Sequence, residues 1–449
     1  KSKIYMKRFI ETLQNIWKIE ELKQRILTTL GLILIYRLGS YVVLPGINTE
    51  VLTQANANAN DGGIIALINA FAGGAFSRAS IFGLGIMPYI TASIIIQLLG
   101  MAVPYFQKLQ KEGESGRKKI NQYTRFLTVA VTAVQAPGYL AAQVYTKPGV
   151  VGIDPTWFGI QSTIILVAGT MFIMWLGERI TDKGIGNGIS LLIMIGIISR
   201  LPFAITSEFG SRLQSAGGGL IMFLLEIVFL MLVIVSCILL VQGTRRIPVQ
   251  YAKKIVGNKQ IGGVRQYLPL KVNAAGVMPI IFAQAIMFIP SAVSSFSGGT
   301  GGVFSDRYGF WYNFIFASLI IAFTYFYTAI MINPNQLADD MKRNGGFVPG
   351  VKPGKDTASF IDQVMSRITL PGSIFLAFVA ILPSIAIKLG INSAFADFFG
   401  GTSLLILVGV VLDTLQQIET FLLNRHYDGL MQTGRVKGRS TNAMEMQQA

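Results

Sequence analysis

The sequence predicts an all-α polytopic membrane protein of ten transmembrane helices with a short re-entrant helix. Three observations carry that prediction. Only 13% of the 449 residues are charged and 52% are hydrophobic, whereas soluble domains usually carry about 25% charged residues. Ten apolar runs reach the length of about 20 residues that a helix needs to cross the hydrocarbon core. The 38 Lys and Arg outnumber 22 Asp and Glu, and they punctuate the apolar runs. Basic residues clustered on one amphipathic element would instead suit nucleic-acid binding.

The spans are expected at residues 26–44, 81–101, 126–145, 158–176, 186–205, 219–241, 272–293, 311–332, 372–389 and 402–423. Residues 1–24 open the chain, with Phe9, Ile10, Leu13, Ile16 and Trp17 at near-helical spacing among Lys7, Arg8 and Lys18. That pattern predicts an amphipathic helix on the membrane surface. It has no apolar core or small-residue cleavage site, so no cleavable signal peptide is expected there. With the N-terminus inside, all but seven of the 38 basic residues fall in inside segments, the bias of cytoplasmic loops. The exceptions are Arg37, Arg78, Lys147, Arg200, Arg212, Arg307 and Lys388. Both termini are therefore expected in the cytoplasm, including the tail over 424–449.

Between the first two spans, IIALINAFAGGAF at 64–76 is too short to cross and is interrupted by Gly73 and Gly74. Irregular backbone at membrane depth survives only when buried in protein or lining a wet cavity. Ser80 follows closely, so a re-entrant segment is favoured over an external surface helix. Two inside loops, 243–271 and 333–371, are long for connectors and rich in Lys and Arg. Such length points to a docking surface, beyond setting topology and touching anionic lipid.

Chemistry-bearing residues are scarce. Cys237 is the single cysteine and His426 the single histidine, so no disulfide framework, metal site or cofactor is expected. Glu226 is the only clearly central carboxylate, with Asp413 nearer the inside, and a lone carboxylate is a poor proton relay. A secondary transporter of a small solute, the alternative reading, would show paired intramembrane charges around a midplane site. An ATPase would show a phosphate-binding loop; the nearest stretch, Gly350 to Asp356, is one residue short and ends in Asp. Two isoleucine pairs, Ile86 with Ile90 and Ile189 with Ile193, share helix faces at a spacing of four. Thr91, Gln97, Gln135, Asn187 and Asn273 lie at mid-depth, where polar groups mark helix interfaces or a wet cavity.

Several stretches resemble the SecY family: GGAFSRASIFGLGIMPYITASIIIQLL (73–99), KEGESGRKKINQYTR (111–125) and GTMFIMWLGERITDKGIGNGIS (169–190). So do LPLKVNAAGVMPIIFA (268–283), GGFVPGVKPG (345–354) and GTSLLILVGVVLD (401–413). The resemblance runs from Leu22 to about Leu423. It implies a protein-conducting channel, not an enzyme, built of two pseudo-symmetric halves of five spans, here 25–206 and 207–423. By position it implies a pore ring of Ile86, Ile90, Ile189, Ile193, Ile281 and Ile406. It implies a plug over 64–78 containing Ile64, Phe71, Gly73, Gly74 and Arg78. A lateral gate between the second and seventh spans would carry Thr91, Gln97 and Asn273. Arg245, Arg246, Lys253, Lys254, Arg343, Lys352 and Lys355 would meet the SecA motor ATPase or the ribosome. SecE-like and SecG-like small membrane subunits, and secretory or membrane-protein substrates with signal sequences, complete the implied partners, in a bacterial cytoplasmic (inner) membrane. One departure is Lys352, where the family commonly has arginine; lysine is a point charge without the planar fork that makes bidentate contacts.

Overall fold

A computed structural model describes residues 19–57, 69, 72–152, 154–214, 219–251, 254–256, 259–261, 265–284, 286–287 and 308–432. The surface helix expected before residue 19, Ile64, Phe71, Lys253 and the end of the tail lie outside the described residues. The side chains of Lys254 and of residues from 423 onwards do so too.

The helices, in order, are α1 (Glu20–Gly39), α2 (Thr49–Ala57), α3 (Met87–Ala102), α4 (Pro104–Lys111), α5 (Glu114–Leu140), α6 (Pro155–Lys183), α7 (Gly188–Ile198), α8 (Leu201–Gln214) and α9 (Gly219–Gln242). They continue as α10 (Phe310–Met331), α11 (Pro334–Arg343), α12 (Lys355–Lys388), α13 (Ser393–Ala396) and α14 (Gly401–Gln432). Seven helical stretches among the described residues are long and apolar enough to cross a membrane. An eighth is the bent pair α3 and α4, which meet at 101°. The first expected span, α1, is 20 residues long but carries Glu20, Glu21, Lys23, Arg25 and Arg37. The seventh is helical over 278–284 and at 286–287, and the rest of its expected range lies outside the described residues.

Proline explains where helices differ from the expected spans. Residues 81–86 are turns, and α3 begins only with Met87 and Pro88, the first-turn position where a missing N–H costs nothing. Val103 is extended ahead of Pro104, as a residue before proline must be, which sets the bend into α4. The fifth span breaks at 199–200 before Pro202, giving α7 and α8. In α12, 34 residues long, the rise of about 1.5 Å per residue makes roughly 51 Å. That is well beyond a hydrocarbon core of about 30 Å, so its polar first turns stand outside.

Packing uses small residues where helices approach. Thr124, Thr128, Thr132 and Ala136 recur every fourth residue on α5 and are all buried, and α3 packs against α5. Each threonine hydroxyl donates to the carbonyl four residues back, at 2.9, 2.7 and 2.6 Å, so these hydroxyl hydrogens are satisfied within α5. Such stripes let helices close without an apolar driving force, which lipid does not supply. Between α10 and α12, the buried Ser384 hydroxyl donates to Asn313 Oδ1 at 2.8 Å.

The expectation of two long loops changes most. Residues 244–271 form a ribbon: β1 (Thr244–Tyr251) pairs antiparallel with β4 (Arg265–Lys271), while β2 (Lys254–Val256) and β3 (Lys259–Ile261) pair beyond it. The other edge of β1 pairs with β5 (Gly346–Phe347) of the second loop. The reason is legible in β1, where exposed Arg246 and Pro248 alternate with buried Ile247 and Val249, the period of a half-buried strand. Ile247, Val249 and Leu270 share a core with Met341 of α11, Val348, and Ile361 and Met365 of α12.

The chain divides into two compact units. One comprises residues 1–37, 175–192 and 410–449; the other comprises 38–174 and 193–409.

Candidate functional site

None of the six expected ring positions is exposed. Ile86 caps α3, and the Ile90 amide donates to its carbonyl at 3.1 Å, so the pair keeps its spacing on one face although Ile86 precedes the helix. Ile86, Ile193 and Ile406 are 6%, 5% and 3% exposed; Ile90, Ile189 and Ile281 are half-buried. Exposure of apolar side chains is otherwise common: Ile221 and Leu239 on α9 are 74% and 67% exposed. Ile189 belongs to the first unit and the other five to the second.

The described end of the expected plug, residues 72–78, is a run of turns and, with Ala79 and Ser80 after it, is mostly buried. Ala72, Ala75, Phe76 and Ala79 join Leu44, Tyr139, Leu140 and Phe158 in one cluster. The Phe76 ring meets Tyr139 edge-on at 4.6 Å, and the Tyr139 hydroxyl donates to the Phe76 carbonyl at 2.8 Å. Arg78 donates to the carbonyls of Gly73, at 3.1 Å, and Ser40, at 3.4 Å, with its guanidinium 4.3 Å from the Tyr41 ring centroid. Gly74 has φ +85° and lies against that guanidinium, so a side chain there would meet both backbone strain and Arg78. Asn69 is buried, and its Oδ1 accepts from the Ser77 amide at 3.2 Å.

Among the described residues, Thr91 and Gln97 bond within their own helix and not to the seventh span. Thr91 donates to the Met87 carbonyl of its own helix at 3.1 Å, and Gln97 to Ser93 at 3.4 Å. Asn273 is buried with Oδ1 lacking a hydrogen-bond partner among the described residues.

The basic residues of the two loops come together on one lobe. Arg245 and Arg246 are exposed on β1, Arg343 ends α11, Lys352 lies in the turn before α12 and Lys355 opens that helix. The strand pairing of Gln250 with Phe347 joins the two loops. The Lys352 carbonyl accepts from Thr357 at 2.8 Å while its side chain points to solvent. That leaves the ammonium for a partner, as a point charge.

A family model described as SecY matches residues 80–415. The chain belongs to the SecY family. The protein translocase subunit SecY of Mycobacterium bovis is 42% identical over 446 residues, covering 94% of this chain and 99% of that one. Similar folds are found in a SecY structure whose plug domain stabilises the closed state of the translocation channel, and in Sec61 of a canine ribosome–channel complex. The first has a TM-score of 0.60 at 18% identity, covering 89% of this chain and 92% of that one. The second has 0.58 at 17%, with the same coverage. Both support the SecY-type fold of ten spans.

Within this SecY-family chain, sequence reasoning missed the partner of Glu226. Arg212, in the last turn of α8, donates to Glu226 Oε1 at 2.5 Å and to Glu208 Oε1 at 2.8 Å. It also donates to the Gly390 carbonyl at 2.9 Å, and the Asn392 amide donates to Glu208 Oε2 at 2.9 Å. Glu208 and Glu226 are buried. The lone central carboxylate thus belongs to a structural ion network joining α8, α9 and the turn after α12. The available signal was the i, i+4 spacing of Glu208 and Arg212 at the end of an apolar run.

Proposed function

We propose that this chain is the channel-forming subunit of a bacterial protein translocase. It carries unfolded secretory polypeptides across the cytoplasmic membrane and releases sufficiently apolar segments sideways into lipid. The observation that carries the reading is that none of the six isoleucines is exposed, in a chain whose spanning helices expose many aliphatic side chains. A constriction lined by such side chains dewets, so it blocks ions at rest without a rigid gate. Isoleucine can change rotamer to fit around a passing chain.

The buried run at 72–80, with the Arg78 contacts at its base, supports the role of residues 64–78 as a plug seated on the outer side. Thr91, Gln97 and Asn273 mark the seam between the second and seventh spans. Because Thr91 and Gln97 bond within their own helix, the seam is held chiefly by packing, and an apolar segment gains by leaving through it into lipid. The halves 25–206 and 207–423 flank the pore, and the excess of Lys and Arg in one alternating set of segments supports both termini lying inside.

The basic lobe of Arg245, Arg246, Arg343, Lys352 and Lys355, joined in sequence by Lys253 and Lys254, takes an acidic partner surface: the SecA motor or the ribosome. The canine Sec61 of similar fold in a ribosome–channel complex supports the latter. SecE-like and SecG-like subunits cover exposed helices such as α9, and anionic lipid meets the basic loops. Energy for movement comes from these partners, not from this chain. Ile406→Asn tests the reading. A polar group wets the constriction, so the idle channel leaks ions in planar bilayers and defective signal sequences pass. Wild-type conductance from that variant removes Ile406 from the ring.

A further inference from the structure

The turn that feeds the fifth span is held from outside itself. Residues 184–188 (GIGNG) are buried except Asn187. Gly188 opens α7, which carries Ile189 and Ile193 on one face, and a Cβ at Gly188 would overlap the Gly177 carbonyl. The turn is therefore backbone pressed on backbone, and its amides need side-chain acceptors. Three elements supply them. Thr29 of α1 accepts from the Ile185 amide at 3.1 Å while donating to the Arg25 carbonyl at 2.8 Å. Gln417 of α14 accepts from the Gly186 amide at 2.8 Å. Thr181 of α6 accepts from the Gly188 amide at 2.9 Å. Arg25 closes the set, donating to the Gly184 carbonyl at 3.3 Å with its guanidinium 4.9 Å from the Phe421 ring centroid.

We propose that Gln417 and Thr29 are positioning residues for the pore: by capping the amides of Gly186 and Ile185 they fix where α7 starts, and hence where Ile189 stands. Gln417 does so from the distal half of α14, the helix whose proximal half carries Ile406. One helix thus contributes a ring side chain directly and sets another through the turn. The inference rests on the ring reading proposed above.

The argument is one of satisfaction. The Gly186 amide is buried and backbone-rigid, so losing its acceptor leaves a desolvated donor. The cheapest repair is to shift the turn toward water or toward another acceptor. Because α7 starts two residues later with no slack between, that shift turns the helix and carries Ile189 with it.

The test uses the complete translocase in planar bilayers. Gln417→Met keeps the length but removes the acceptor, and Gln417→Glu restores an acceptor oxygen. Thr29→Val and Thr29→Ser form a second, independent pair. Ile189→Asn serves as the ring control. At equal amounts of assembled complex, Gln417→Met and Thr29→Val should raise the idle ion leak several-fold and pass precursors with defective signals. Gln417→Glu and Thr29→Ser should stay near wild type. In the Ile189→Asn background, Gln417→Met should add nothing further. A merely structural role would lower the amount of complex and leave conductance per channel unchanged, which overturns the proposal. Equal leak from Gln417→Glu and Gln417→Met overturns it as well. A leaking Ile189→Asn beside silent Gln417→Met and Thr29→Val overturns this proposal alone, whereas a silent Ile189→Asn overturns the ring reading along with it.

Discussion

Helices α9 and α12 both cross the membrane by length and composition, yet they are used in opposite ways. The most apolar 18-residue window of α9 has a mean hydropathy of 3.1 with 17% of its residues buried; that of α12 has 2.2 with 56% buried. The greasier helix is the less packed one. In water that order would be perverse, but lipid tails are as apolar as leucine, so burial between helices is driven by fit and polar contacts instead. In α9 the buried residues are Glu226, Val233 and Cys237, a single stripe anchored by an ion pair. In α12 buried Ser373, Leu376, Ala377, Val379, Ala380, Leu382 and Ser384 wrap most of the circumference.

The contrast breaks most sharply at the anchor of α9. Arg212→Met leaves the carboxylates of Glu208 and Glu226 buried without a counter-charge and should cost about 3–5 kcal/mol. Thermal unfolding of the detergent-solubilised complex checks this; a midpoint at the wild-type value would mean that the network carries no weight. In the packed core of α12, Leu376→Ala opens a cavity where Leu376 is fully buried. The same assay should show a loss of about 2 kcal/mol, and a loss below that of an exposed truncation would contradict the packing described. Ser384→Ala removes the hydroxyl bonded to Asn313 and should cost about 0.6 to 1 kcal/mol, the size of measured interhelical bonds. A double-mutant cycle with Asn313→Ala should recover that figure as the coupling. Smallest of all, Leu224→Ala on the exposed face of α9 should change stability by less than about 0.5 kcal/mol. A clear loss there in the isolated chain would show that the face is packed after all, while a loss seen only in the assembled complex would map a small-subunit contact.

The same contrast explains what could be read early. Apolar length alone located α5, α6, α9, α10, α12 and α14 to within the placement of their polar extensions. Ends were less legible: α12 begins 17 residues before the expected span, because its polar first turns pack on the β1–β4 ribbon, which hydropathy does not register. The ribbon is not evident from hydropathy, which shows its residues as a loop, although Arg246, Ile247, Pro248 and Val249 already alternate. The signal was short, and the strand β5 that completes it lies some 95 residues further on. Span boundaries put Arg212 in an external loop, so the sequence does not show that it meets Glu226.

By itself the sequence determined that the chain crosses the membrane repeatedly, which family it belongs to, and which isoleucines to ask about. The first follows from composition and apolar length, since the bilayer imposes both on each span separately; the other two come from the resemblance of whole stretches to the SecY family. Only the tertiary structure decided which apolar faces are packed, that two distant basic loops share one sheet, and that Thr29 and Gln417 hold the turn at 184–188. Those facts depend on which segments meet. In a medium that is itself apolar, hydrophobicity does not say which do.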